Sequence, residues 1–356
     1  MQTSSTPLVL PSSSESSRSV TPSSTRYLLL LLFAPVLLLA ILLWVASTPW
    51  FMTHNAYPAM RNMGYELTLQ HENCEIVLAG DSSALVAYDP EVVERLTGMK
   101  TCNVSEGSPV LSVVGSYPLD TYLSRNQRPK FLVMMFTPQI YHPSPYWLSG
   151  SDPEGYTYLL QYVRGKRLYF ALRKPHKLLE YAAWVGNRLL TDALQRLQGE
   201  DPDAVAKDGG IYRREHHGQY QLPFPPETQC MRSIFHERAE DVHGDPEGVA
   251  AARRKYGMDG TRVFINLSPV PSCSAMRDTY ERVLAGEHDN AFEQLPITWY
   301  NSEDVHVNET GAIHISTEVA QQILGSMHNS MGSQAAESPT RVLPSAATSA
   351  IASLSK

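Results

Sequence analysis

The sequence predicts an α/β fold, a three-layer sandwich around a mostly parallel five-stranded sheet, on three observations. Short apolar runs recur at 75–80, 102–104, 130–137 and 262–268, with a weaker fifth at 297–300. These runs are near-continuous rather than alternating, the pattern of strands covered on both faces. Longer helical or irregular stretches separate them, as the crossovers of a parallel sheet require.

Along the chain, residues 1–26 are dominated by Ser, Thr and Pro and hold few large apolar side chains. They cannot bury enough surface to fold and read as a disordered cytoplasmic tail. Residues 27–47, "YLLLLLFAPVLLLAILLWVAS", carry no charge, and as a helix they reach about 30 Å, the thickness of a bilayer core. This predicts a transmembrane helix, with Pro35 tolerable in lipid and Trp44, Trp50 and Phe51 placed for an aromatic belt. A cleaved secretory signal with its site near Val45-Ala46-Ser47 is the competing reading, but its apolar core would be shorter. Arg18 and Arg26 before the helix, against Arg61 after it, set the N-terminus in the cytoplasm by the positive-inside rule. The expectation is a single-pass inner-membrane protein with residues 48–71 as a juxtamembrane linker and the C-terminal domain exported to the periplasm or exterior.

The domain is expected over 72–325, with an insertion at 139–260 and a disordered tail at 326–356. The whole chain, 356 residues with net charge −7, 43% hydrophobic and 18% charged, is globular in composition and gives no electrostatic reason to expect a nucleic-acid partner. Within the insertion, helices are expected around 156–173 and 176–197. In the second, Leu178, Leu179, Ala182, Val185, Leu189 and Leu190 mark an apolar face. A Pro- and Gly-rich stretch follows at about 199–230, and the insertion reads as a lid or substrate-binding subdomain. Cys74 and Cys102 precede or open neighbouring strand candidates; if those strands are parallel neighbours, the two thiols share one end of the sheet and a disulfide fits, leaving Cys230 and Cys273 as the second pair. Four unpaired thiols are the alternative. His216, His217, His236, Glu237, Asp241 and His243 lack a recognisable ligand spacing and read as solvated surface, so no metal and no cofactor is expected.

Two stretches carry the chemistry. In "EIVLAGDSSALVAYDP" a strand candidate breaks at Gly80-Asp81-Ser82 and a helix begins. Ser82 stands where ligands bind in open parallel sheets, with a backbone N–H and a helix dipole behind it. That is a position for a nucleophile, and equally for an ordinary helix cap, since Asp and Ser both cap well. In "NSEDVHVNETGA", 301–312, His306 lies beside two carboxylates before a helix expected from about Glu309. A serine nucleophile needs a base, and the base needs an acidic group to orient it.

"GDSS" and "H-x-N-x-x-G", with "NVSEG" between them, resemble the first, last and glycine blocks of the SGNH (GDSL-type) hydrolase superfamily, whose fold is flavodoxin-like. The likeness spans about 72–325, and a membrane anchor ahead of such a domain is similar to exported relatives that O-acylate surface polysaccharides beside a membrane-bound O-acyltransferase. The resemblance implies Ser82 as nucleophile, His306 as general base, and the backbone N–H groups of Ser82 and Gly107 as oxyanion donors, with Asn103 opening the same block. It implies Asp304 or Glu303 as the group that orients His306. Where the family offers an asparagine after the third strand, this chain reads "MMFTPQIYHP", leaving Thr137 and Gln139 as the nearby side-chain donors. Losing one oxyanion donor costs about 3 kcal/mol of transition-state stabilisation. Tyr141, His142, Tyr146 and Trp147 follow, suited either to stacking on sugar rings or to the underside of the lid.

The implied activity is that of a membrane-anchored serine esterase or O-acyltransferase, moving acyl and especially acetyl groups on an exported or cell-surface glycan. The alternatives are a membrane-tethered esterase for lipid or small esters, and a catalytically weak or silent glycan-binding partner of a membrane acyltransferase.

Overall fold

The structure is a computed structural model that describes residues 21–48, 50–51, 69–106, 117–137, 175–200, 217–218, 226, 243–274, 277–291, 295–301 and 306–336. Its elements are α1 (Thr21–Ala46), β1 (Ile76–Gly80), α2 (Ser82–Ala87), α3 (Pro90–Thr97), β2 (Thr101–Asn103), α4 (Tyr117–Leu123), β3 (Phe131–Phe136), α5 (Pro175–Leu197), α6 (Pro246–Tyr256), β4 (Arg262–Leu267), α7 (Arg277–Val283), β5 (Asn290–Ala291) and α8 (Glu309–Ala336). The sheet is parallel throughout, in the order β2-β1-β3-β4-β5. The chain therefore starts in the middle of the sheet and winds outward both ways, so the tips of β1 and β3 flank the point where the order reverses. In open α/β sheets that crevice receives ligands.

Continuous apolar strands split into two cores because successive side chains leave opposite faces. On one face Ile76, Leu78, Val133 and Met135 pack against α2, α3 and the α8 residues Ile315, Val319 and Ile323. On the other, Val77, Ala79, Leu132, Met134 and Ile265 pack against Tyr122 of α4, Val249, Ala252 and Tyr256 of α6, and Tyr280 of α7. Cys74 and Cys102 form a disulfide between the parallel neighbours β1 and β2, with Cα atoms 5.9 Å apart. Cys273 is disulfide-bonded as well, and Cys230 lies outside the described residues.

Three expectations are corrected. The fifth strand is not at 297–300, where Pro296 leads into a single 3₁₀ turn, Ile297–Trp299. It is the two-residue β5, paired with Asn266 and Leu267. Ile297 and Trp299 are apolar because they pack against the α8 core, which a strand reading mistakes for pairing. The C-terminal helix runs on to Ala336, past residue 326 where the sequence predicts the tail to begin. At the other end α1 starts at Thr21, ahead of the expected boundary, and continues to Ala46 with Pro35 inside it. Among the described residues no helix is long and apolar enough to cross a membrane, the side chains of residues 28–30 within the apolar run lying outside that description.

Candidate active site

Gly80 ends β1 with φ +155°, and a Cβ there would collide with the Met135 carbonyl oxygen and Ala84 Cβ. Only glycine lets the backbone turn this close to β3. The turn hands the chain to Asp81, which is extended (φ −85°, ψ −165°) and caps α2. One carboxylate oxygen of Asp81 accepts from Ser83 N–H at 2.9 Å, Ala84 N–H at 3.4 Å and the Ser83 hydroxyl. The other accepts from Thr137 N–H at 2.7 Å and the Thr137 hydroxyl at 2.8 Å. Asp81 is fully buried, and these bonds tie the tip of β1 to the tip of β3. The capping reading of this motif thus belongs to Asp81.

The two serines of the motif separate. Ser83 is buried with its hydroxyl spent on Asp81. Ser82, the first residue of α2, is only partly buried, so of the two it is the hydroxyl with access to solvent. Beside it, Val104 N–H donates to Leu78 O at 2.8 Å and Glu106 N–H to Gly80 O at 3.0 Å. The segment after β2 is thereby carried along β1 as far as Gly80, one residue short of Gly107.

Asn103 turns the other way. Its side-chain amide donates to the Leu85 carbonyl at 3.2 Å and the Tyr88 carbonyl at 3.1 Å, and its oxygen accepts from Ser105 N–H at 3.0 Å. It closes the C-terminal end of α2, where carbonyls have no partner within the helix. Thr137 likewise commits both backbone N–H and hydroxyl proton to Asp81. Neither side chain keeps a free donor for an oxyanion.

His306 sits in a hairpin closed by the Tyr300–Val307 bridge, by Asn301 N–H on the His306 carbonyl at 2.9 Å and by the Asn301 amide on Val307 O at 3.1 Å. Asn308, two residues on, accepts from Thr310 N–H at 3.1 Å and Gly311 N–H at 3.3 Å and so caps α8, while its amide donates to Thr298 O at 2.8 Å. At Gly311 a Cβ would lie 2.8 Å from both Trp299 O and Val307 Cβ. The Asn and Gly of "H-x-N-x-x-G" thus press the first turn of α8 onto the hairpin that bears the histidine.

Burial lowers the His306 pKa below its ordinary 6.5, and the Asp81 carboxylate opposes that shift. An imidazole that stays neutral at neutral pH is the form that accepts a proton. The opposing effect of Asp81 brings His306 into the electrostatic field of the residue next to Ser82, although the two histidine-bearing and serine-bearing loops are more than two hundred residues apart in sequence.

Gly107, Gln139, Tyr141, Tyr146, Trp147, Glu303 and Asp304 lie outside the described residues. His217 is half-buried and its main-chain carbonyl accepts from Asn103 N–H at 2.9 Å at the edge of β2, His243 is exposed, and His216, His236, Glu237 and Asp241 lie outside the described residues. Among the described residues no group of three or more His, Cys, Asp or Glu side chains could hold a metal ion. Sequence reasoning missed the bridging role of Asp81; its cap half was legible in Asp before two serines, its Thr137 half was not. Compared with known proteins, the chain matches no family model, no curated protein and no solved structure.

Proposed function

We propose that this protein is a membrane-anchored, SGNH-like serine esterase or O-acyltransferase acting on acyl groups, especially acetyl, of an exported or cell-surface glycan. The observation that carries the reading is a buried His306 that feels the carboxylate of Asp81, the residue next to the partly exposed Ser82 at the tip of β1. In this mechanism the Ser82 hydroxyl attacks the acyl carbonyl as His306 takes its proton. The ester bond then breaks, the proton passes to the departing alcohol, and the acyl group rests on Ser82. A sugar hydroxyl or water attacks next, and His306 again takes and returns the proton. Asp304 or Glu303 would orient the imidazole, and Asp81 would help stabilise its charged form.

The anchor rests on the uncharged run 27–47, all but its last residue within the 26-residue helix α1. Export is supported by the Cys74–Cys102 disulfide, since such bonds persist in oxidising compartments. A membrane-bound O-acyltransferase is the proposed partner.

A second reading is favoured by one observation. Thr137 and Asn103 both spend their donors inside the fold, so among the described residues no side chain at these two positions is left for the oxyanion, which falls to backbone N–H groups. A catalytically weak glycan-binding partner of a membrane acyltransferase would need no more. The test is turnover of an acetyl ester reporter by the full chain in nanodiscs, with and without an oligosaccharide acceptor. Loss of about a thousandfold or more in both Ser82→Ala and His306→Ala supports the enzyme. Turnover indifferent to both substitutions removes the serine mechanism.

A further inference from the structure

Three backbone N–H groups, those of Ser83, Ala84 and Thr137, already satisfy the Asp81 carboxylate. Two hydroxyls are added to them, that of Ser83 on one oxygen and that of Thr137 on the other. Ser83 and Thr137 are buried, so each hydroxyl gave up its water to reach this one group. Capping does not ask for that. The Asp81 side chain caps α2 by accepting from the N–H groups of Ser83 and Ala84, and a cap of that kind needs no further donor.

The two hydroxyls pull from opposite strand tips. Ser83 lies in α2 just past β1, and Thr137 directly follows β3. The β1–β3 ladder ends at Gly80 with Met135, and the next main-chain bond across it, Asp81 N–H to Met135 O, is long at 3.4 Å. Beyond Gly80 the backbone therefore holds β3 weakly, and the Asp81 side chain supplies the tie. Ser82 is the following residue, its Cα about 3.8 Å from that of Asp81 across a trans peptide, so it moves wherever Asp81 moves. Packing carries the same frame to the histidine. Ala84 of α2 and Met135 of β3 share one buried cluster with Tyr300 and Val307, the two residues whose bridge closes the His306 hairpin. Ser316 of α8 fastens the far end of α2, accepting from Asp89 N–H at 2.7 Å and donating to Ala87 O at 3.3 Å.

We propose that Thr137 and Ser83 are positioning residues of the reaction: their hydroxyls clamp Asp81 from the two strand tips and so set where the Ser82 hydroxyl stands against His306. This rests on the serine reading. It gives Thr137, at the place where the resembled family offers an asparagine, a part in turnover that acts through Asp81 and not by donation to the oxyanion. Misplacing a reacting group by about 1 Å can cost a hundredfold in rate, so the clamp should show in kcat and hardly in KM.

The test is turnover of an acetyl ester reporter by the full chain in nanodiscs, each variant first shown to be folded by chemical denaturation. Thr137→Val keeps the shape and the backbone N–H but removes the hydroxyl, Thr137→Ser keeps the hydroxyl, and Ser83→Ala removes the other one. The expected result is a kcat about tenfold or more lower in Thr137→Val and in Ser83→Ala, with KM within about twofold, and recovery to within about threefold of the parent in Thr137→Ser. An unchanged kcat in folded Thr137→Val overturns the inference and leaves these bonds a purely structural role. So does a loss in Thr137→Val with Ser83→Ala at the parent rate, the mark of a direct oxyanion donor at 137. Should Thr137→Val not fold, Ser83→Ala decides by the same measure. Ser82→Ala and His306→Ala run alongside: if both turn over like the parent, the serine mechanism falls and this inference with it, whereas if both are inactive and the clamp variants are not slowed, this inference falls alone.

Discussion

At the tip of β1 one carboxylate holds the backbone in place, whereas around His306 the work is done by packing and main-chain hydrogen bonds. Asp81 gathers five donors from two strand tips in a fully buried setting. The His306 hairpin is fixed by its bridge, by Asn301 and Asn308, and by the close approach at Gly311. The difference teaches that the serine end is rigid because donors would be stranded if it moved, and the histidine end because atoms would collide. Each should fail in its own way.

The largest effect is expected at the serine end. Asp81→Ala strands the N–H groups of Ser83 and Thr137 in a buried site and should cost about 3–5 kcal/mol of stability, read from chemical denaturation. Loss below about 1 kcal/mol would mean the carboxylate is not the organiser. Gly311→Ala tests the histidine end. Overpacking costs about 1–3 kcal/mol, offset by about 1 kcal/mol of regained helix propensity. Stability should drop modestly while ester turnover drops more, because the collision displaces Val307 and with it His306.

The smallest effect is on pH dependence, and it separates the two ends. Burial holds His306 below 6.5 in the folded protein, so under acid the unfolded chain takes up its proton first. Stability should fall as pH drops through and below 6.5 and gain nothing from this group above it. His306→Gln should flatten that part of the profile, while Asp81→Asn should lower the protonation midpoint further by removing the opposing charge. For the same reason the acid limb of kcat/KM should lie below 6.5.

The parts of this account visible in the sequence are those written in local pattern. β1, β3 and β4 announce themselves as unbroken apolar runs, and a parallel β1–β2 neighbourhood made a Cys74–Cys102 disulfide one of two open readings, the one the structure bears out. β5 has no such run; Asn290 and Ala291 pair because they lie beside Asn266 and Leu267, with the Asp289 carboxylate taking Ile265 N–H at 2.7 Å nearby. Local pattern is what singled out Ser82 and His306: Ser82 follows the end of β1 and opens α2, and His306 stands shortly before α8. The bond from Asp81 to Thr137 spans 56 residues, and nothing within either segment signals it. That the apolar face expected on α5 divides was hidden too, Leu178 packing with the end of α1 and Leu179 standing exposed.

The central claim is that Ser82 is made nucleophilic by His306, and covalent labelling tests it most directly. The full chain is treated with a fluorophosphonate at pH 7.5 and the modified peptide identified by mass spectrometry. The account predicts one adduct, on Ser82, forming about a hundredfold or more slower in His306→Ala. An adduct that forms as fast without His306, or that sits on another residue, would contradict it.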